Sequence, residues 1–96
     1  MVVRTSTWSG SAEQLEAWAV AVKEKVKPMV EQLPGNKGAF FVIDREGGKA
    51  LTFTVWESEE AARATDEAAD QSRARTIGGT GVTMVSKDRY EVVTSI

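Results

Sequence analysis

Two chemically versatile side chains are missing: the 96 residues include no Cys and no His. Without thiols there is no disulfide framework, thiolate nucleophile, Cys-based zinc site or iron–sulfur cluster. Without imidazole there is no catalytic triad, imidazole metal ligand or His-ligated haem. Any chemistry must come from Ser, Thr, Tyr, Trp, Arg, Lys or carboxylates. No apolar run approaches the ~20 residues a membrane span needs, and Met1-Val2-Val3-Arg4 lacks the basic-then-apolar pattern of a signal peptide. A cytoplasmic protein is expected. An excess of basic charge is lacking too, with 12 Lys+Arg against 14 Asp+Glu and a pI near 5.1. That balance argues against nucleic-acid and anionic-membrane partners, both of which reward a basic surface. The length suits one compact domain over residues 1–96.

What is present reads as six elements. Residues 2–8 are rich in β-branched side chains and stop at Ser9-Gly10, which predicts a first strand. Ser11-Ala12-Glu13-Gln14 is a capping box, and Leu15, Trp18, Ala19, Val22, Val26, Met29, Val30 and Leu33 then recur at helical spacing. Pro28 lies inside that stripe, so the helix should kink or restart about one turn earlier. After the Pro34-Gly35 loop, residues 39–45 and 49–57 read as a hairpin around Glu46-Gly47-Gly48. Ser58 caps a second, alanine-rich helix that Ile77-Gly78-Gly79-Thr80-Gly81 should break. Residues 82–85 read as a short arm and 89–96 as the last strand. The order β-α-β-β-α-β is that of a ferredoxin-like α+β domain, a four-stranded antiparallel sheet with two helices on one face.

Alternation on the third strand gives one apolar set, Leu51, Phe53 and Val55, and one mixed set, Thr52, Thr54 and Trp56. The apolar set is placed under the helices. With a two-residue Gly47-Gly48 turn, Phe53 would lie opposite Val42 and Thr54 opposite Phe41. Phe40 and Val42 would then join the core, leaving Phe41, Ile43 and Trp56 on the face no helix covers. An uncovered apolar face needs a partner, and a second copy meets that need, so a homodimer with sheets packed face to face is expected.

The strand-to-helix junction Leu51-Thr52-Phe53-Thr54-Val55-Trp56-Glu57-Ser58-Glu59-Glu60-Ala61, with Pro34-Gly35 and Tyr90-Glu91-Val92-Val93, resembles the antibiotic-biosynthesis-monooxygenase-like family of the dimeric α/β-barrel superfamily. The resemblance implies a ferredoxin-like subunit whose dimer closes into a barrel, with a ligand cavity between sheet and helices. The superfamily mixes cofactor-independent oxygenases, haem-degrading enzymes, isomerases and proteins without known activity, so the resemblance fixes no reaction. Its haem-degrading members carry an Asn on the first strand and a Trp and a His on the second helix. Residues 3–7, 61–69 and 72–75 contain none of these, which argues against haem degradation. Its cofactor-free monooxygenases place an Asn and a Trp four residues apart on the third strand, where this chain has Thr52 and Trp56.

Each candidate site residue has a functional and a structural reading. Phe41 and Trp56 either hold a flat aromatic ligand, with Thr52 or Thr54 bonding a ring oxygen, or fill a dimer interface. Arg73 and Arg75 either bind an anionic or phenolate oxygen or are ordinary charges at a helix C-terminus. Tyr90 either acts as a general acid or packs in its strand. Trp18 belongs to the core, and Trp8 is open. Asp66 and Asp70 read as a solvated face, and no metal site is expected. Lys37 to Asp44 matches four of the seven specified positions of an RNA-binding strand motif, but on the wrong strand and in an acidic chain. The expected function is small-molecule binding, or cofactor-independent monooxygenation of an aromatic, polyketide-like compound. The alternative is a non-catalytic dimeric interaction or ligand-binding protein. No cofactor is expected.

Overall fold

A computed structural model describes residues 1–96. Strand β1 (Val2–Ser9) leads to helix α1 (Ala12–Ala21), a π-helical turn (Val22–Val26) and helix α2 (Lys27–Glu31). Strands β2 (Asn36–Asp44) and β3 (Lys49–Trp56) form a hairpin, followed by α3 (Glu59–Ala64), α4 (Asp66–Thr80) and β4 (Thr83–Glu91). All pairings are antiparallel, in the order β2-β3-β1-β4, and the helices lie on one face of the open sheet. This is the expected ferredoxin-like β-α-β-β-α-β fold. No helix is long and apolar enough to cross a membrane.

Local chemistry accounts for the helix ends. The Ser11 hydroxyl accepts from the Gln14 backbone N–H at 3.1 Å, and the Gln14 side chain accepts from the Ser11 N–H at 2.9 Å, completing the capping box. Pro28 has no N–H for the carbonyl four residues back. The preceding turn widens instead, and the Lys27 N–H reaches the Val22 carbonyl five residues away. Ser58 caps α3 by accepting from the Ala61 N–H at 3.0 Å. Gly35 is required where β2 begins: its φ is +83°, and a Cβ there would lie 2.5 Å from the Ala61 methyl.

The two faces of the sheet are the reverse of the expectation. The observed register sets Phe40 against Phe53, Phe41 against Thr52 and Val42 against Leu51. The hairpin turn therefore spans four residues, 45–48, where a two-residue Gly47-Gly48 turn was expected. Ala50, Thr52, Thr54 and Trp56 face the helices, and Phe41 and Ile43 pack against the core of Trp8, Leu15, Trp18, Val22, Ala50 and Val82. Leu51, Phe53 and Val55 lie on the open face with Phe40, which is 67% exposed, and Val42, which is 45% exposed. Alternation separates two faces but does not say which one the helices cover. The helix side carries hydroxyls here because polar groups are buried beneath the helices. The apolar set stands outside, where Phe40 meets Phe53 edge-on at 6.5 Å.

Other boundaries also move, and β2 begins at Asn36 where residue 39 was expected. The second helix is interrupted at Thr65, whose hydroxyl bonds back to the Ala62 carbonyl at 3.0 Å. It then runs through Gly78 and Gly79 and ends only at Gly81, with φ +79° and its N–H on the Ile77 carbonyl. The last strand occupies residues 83–91, earlier than the expected 89–96, because β1 begins at Val2 and pairs Val2 with Glu91. Val92 keeps one further bond, to the Met1 carbonyl at 3.0 Å.

Candidate functional site

Between the sheet and the helices lies a cavity whose floor is β1 and β3 and whose roof is α1, the π-helical turn, α2 and α4. Alternation on β1 sends Arg4, Ser6 and Trp8 into it, and alternation on β3 sends Thr52 and Thr54. Trp18, Val22, Val26, Met29, Val30 and Leu33 come from the helical stripe, and Ala69, Ser72, Arg73 and Thr76 from one side of α4. The lining is thus mostly apolar, with five hydroxyls and two guanidinium groups and no carboxylate. The centre of a water molecule can sit in about 50 Å³ of it, which is room for a few waters.

The polar groups differ in what they have left to offer. Thr54 is spent: it accepts from the Trp56 indole N–H at 2.9 Å and donates to the Arg4 carbonyl at 3.3 Å. Thr52 accepts from the Trp8 indole N–H at 3.2 Å, leaving its own O–H free to donate. Arg4 is 7% exposed. It donates to the Ala62 carbonyl at 2.9 Å, to Asp66 at 2.8 Å and to the Thr65 hydroxyl at 3.1 Å. Its guanidinium also stacks 4.8 Å from the centre of the Trp56 ring. Arg73 is tied at Nη2 to Asp70 at 2.5 Å, while its Nε is buried without a partner.

Charge pairs flank the cavity on the β4 side. Arg89 donates to Glu59 at 2.9 Å and to Asp66, and Lys87 donates to Asp70 at 3.1 Å. Burial works to raise the Asp66 pKa, but bonds from Arg89 and Arg4 outweigh it and hold the carboxyl below its ordinary value. Hydrogen bonds from Arg73 and Lys87 likewise lower that of Asp70. Burial lowers the pKa of Arg4, with Asp66 opposing. Asp70 stays exposed to solvent and Asp66 partly so, as expected, and both in addition belong to a bridged network.

The structure brings three of the seven candidate residues together at the cavity: Thr52, Thr54 and Arg73. Phe41 packs against the neighbouring core, and Trp56 is completely buried beside the cavity beneath Arg4. Arg75 lies in a groove between the helices, and Tyr90 stands exposed on the open face of the sheet. Sequence reasoning missed Arg4, Ser6, Ser72 and Thr76 and left Trp8 open. The signal for the β1 residues was the alternation Val2, Arg4, Ser6, Trp8. An arginine in a core-facing position of a strand is rarely left without a purpose.

Comparison with known proteins agrees with this architecture. Among solved structures, a candidate antibiotic biosynthesis monooxygenase from Deinococcus radiodurans is similar, with a TM-score of 0.80 and 20% identity over 100% of this chain and 96% of that one. The monooxygenase from the ActVA-Orf6 gene of Streptomyces coelicolor, solved with nanaomycin D, gives a TM-score of 0.73 at 19% identity over 99% of this chain and 89% of that one. SnoaB, a cofactor-independent oxygenase from Streptomyces nogalater, gives 0.69 at 13% identity over 99% and 95%. An uncharacterised Mycobacterium tuberculosis protein is 28% identical over 80 residues, 80% of this chain and 36% of that protein. The chain thus spans about a third of the length of the curated relatives it matches. The family model described as antibiotic biosynthesis monooxygenase matches residues 1–76, a stretch that holds every residue lining the cavity. The chain belongs to the antibiotic biosynthesis monooxygenase family.

Proposed function

We propose that the chain binds an electron-rich aromatic, polyketide-like compound in the sheet–helix cavity and oxygenates it without a cofactor. The observation that carries this reading is the lining: two indoles, an under-bonded guanidinium and a free hydroxyl face a space with no carboxylate. Trp8 and Trp18 offer apolar surface to a flat ring. Arg73 and the Thr52 hydroxyl offer donors to a ring oxygen carrying negative charge, whereas Nη1 and Nη2 of Arg4 already have protein acceptors.

Such a site suits a substrate that supplies its own electrons. An anthrone-type compound loses a proton to solvent and binds as its enolate, so the cavity needs no base. The enolate carbon gives its electron pair to dioxygen and forms a C–O bond. The resulting peroxide anion takes a proton from solvent to become a hydroperoxide. Loss of the remaining proton at that carbon, with cleavage of the O–O bond, yields the ketone and one water. One dioxygen is consumed for each CH2 converted to C=O, and the substrate provides all four electrons. The fixed positive charge of Arg73 stabilises the enolate and then the peroxide. Drug-sized ligands occupy roughly 300 Å³ or more, so the cavity widens when such a molecule binds. Oxygen uptake with anthrone tests the reading: wild type should consume one dioxygen per anthraquinone formed, and Arg73→Gln should lose most of the rate.

The exposed apolar face supports a second part of the proposal, a homodimer with sheets packed face to face. Phe40, Val42, Leu51 and Phe53 make an apolar patch on β2 and β3 that no helix covers, and Tyr90 stands on the same face with Val92, Val93 and Thr94 beside it. The same surface supports the alternative, in which the chain dimerises or binds a ligand without catalysis.

A further inference from the structure

The internal cavity shares Val26, Met29, Ser72 and Thr76 with a groove on the outer side of the helix layer, between α1 with the π-helical turn on one bank and α4 on the other. That groove has about 280 Å³ open to water centres against about 50 Å³ inside. The groove and the cavity thus meet at four shared side chains, while a hollow of about 220 Å³ on the β4 side, edged by the bridged charges, shares Arg4 and Arg73 with the cavity. The shared side is built from the segment that departs from α-helical bonding, the π-helical turn before Pro28, and from Met29, an unbranched side chain that repacks readily. On the other bank Gly79 leaves the groove open, since a Cβ there would meet nothing within 4 Å. A passage on the β4 side would instead have to part the bridges joining Arg4, Asp66 and Arg89 and those joining Arg73, Asp70 and Lys87. The groove carries Lys25 and Arg75 against a single acid, Glu24, so its rim has the same sign as the cavity.

We propose that this interhelical groove is the entrance through which a flat aromatic anion reaches the cavity, with Val26 and Met29 as the wall that moves and Arg75 as a residue selecting for negative charge. The inference rests on the cavity being a ligand site. Stopped-flow mixing with anilinonaphthalene sulfonate and its uncharged counterpart phenylnaphthylamine, read as energy transfer from Trp8 and Trp18, separates the two claims. Gly79→Leu and Val20→Trp narrow the groove from opposite banks. They should slow association of both dyes by at least about tenfold, within the range that variants of one site span, without lowering the thermal midpoint. Arg75→Glu should slow the sulfonate several-fold at low salt and leave the uncharged dye unchanged. Binding whose rate is unchanged in both narrowing variants overturns the entrance and leaves the cavity reading standing. So does a slowing produced by Lys87→Glu instead. Absence of saturable binding by either dye overturns both.

Discussion

Thr54 is the smallest group on which the buried network depends. It is 5% exposed and is the hydrogen-bond acceptor of the fully buried Trp56 indole. Thr54→Val keeps the shape but strands that N–H, so it should destabilise the protein by about 1–3 kcal/mol, read from urea unfolding, whereas Thr54→Ser should cost much less. Asp66 and Asp70 contribute to the acid limit, as does Glu16, whose carboxyl is lowered by its bond from Arg45. Both aspartates have folded pKa values below the ordinary carboxylate value, so the stability they contribute is full above about pH 4 and is lost as the pH falls through the folded values. Thermal midpoints should therefore drop on acidification below about pH 4, and Asp66→Asn should flatten that limb. A slope unchanged by the substitution would place the acid sensitivity elsewhere. Residue identity was legible in part. Thr52 and Arg73 stood out because their chemistry matches a ligand oxygen, but Arg4 escaped notice because only the β1–β3 pairing and the approach of α3 show that Ala62, Thr65, Asp66 and Trp56 surround it.

Elements were easier to read than their faces. The capping box at Ser11, the cap at Ser58 and the effect of Pro28 are local consequences of backbone chemistry, and each stands where the residues put it, while the hairpin forms with a longer turn than expected. Which side of β3 meets the helices is not local. Leu51, Phe53 and Val55 look like core by composition, but the helices here cover a cavity whose floor carries Arg4, Ser6, Thr52 and Thr54, and the wholly apolar set of β3 is outside. The glycines of α4 misled in the same way: Gly78 and Gly79 meet no steric demand for an end, and only Gly81 takes the left-handed conformation. Gly79→Ala should accordingly stabilise the protein by about 0.5–1 kcal/mol through helix propensity alone. The π-helical turn and α2 should be the part of the roof that opens most readily. Amide hydrogens of residues 22–31 should exchange faster than those of residues 15–21, and protection equal across both would argue against a yielding wall.

At the scale of the whole molecule, one sheet has two different occupations. Its inner face carries the cavity and its bridged charges, and its outer face presents Phe40 and Val42 to solvent in the single chain. Burying that outer face in a second copy should make the protein a dimer by light scattering at micromolar concentration, and Phe40→Glu with Val42→Glu should shift it to monomer; a wild-type monomer would contradict the face-to-face arrangement. The fold itself was legible because six short elements in a fixed order leave few ways to pair, while the cavity depends on side chains from two strands and four helical segments meeting. The central claim is that this cavity holds an anionic aromatic oxygen against Arg73. Its most direct test is an anaerobic titration with anthrone near the pH at which it ionises, followed by tryptophan emission, so that binding is seen without turnover. Saturable quenching in wild type, weakened by about 10- to 100-fold in Arg73→Gln as loss of a charge-assisted hydrogen bond requires, is the expected result. Quenching that never saturates, or an affinity that Arg73→Gln leaves unchanged, would contradict it.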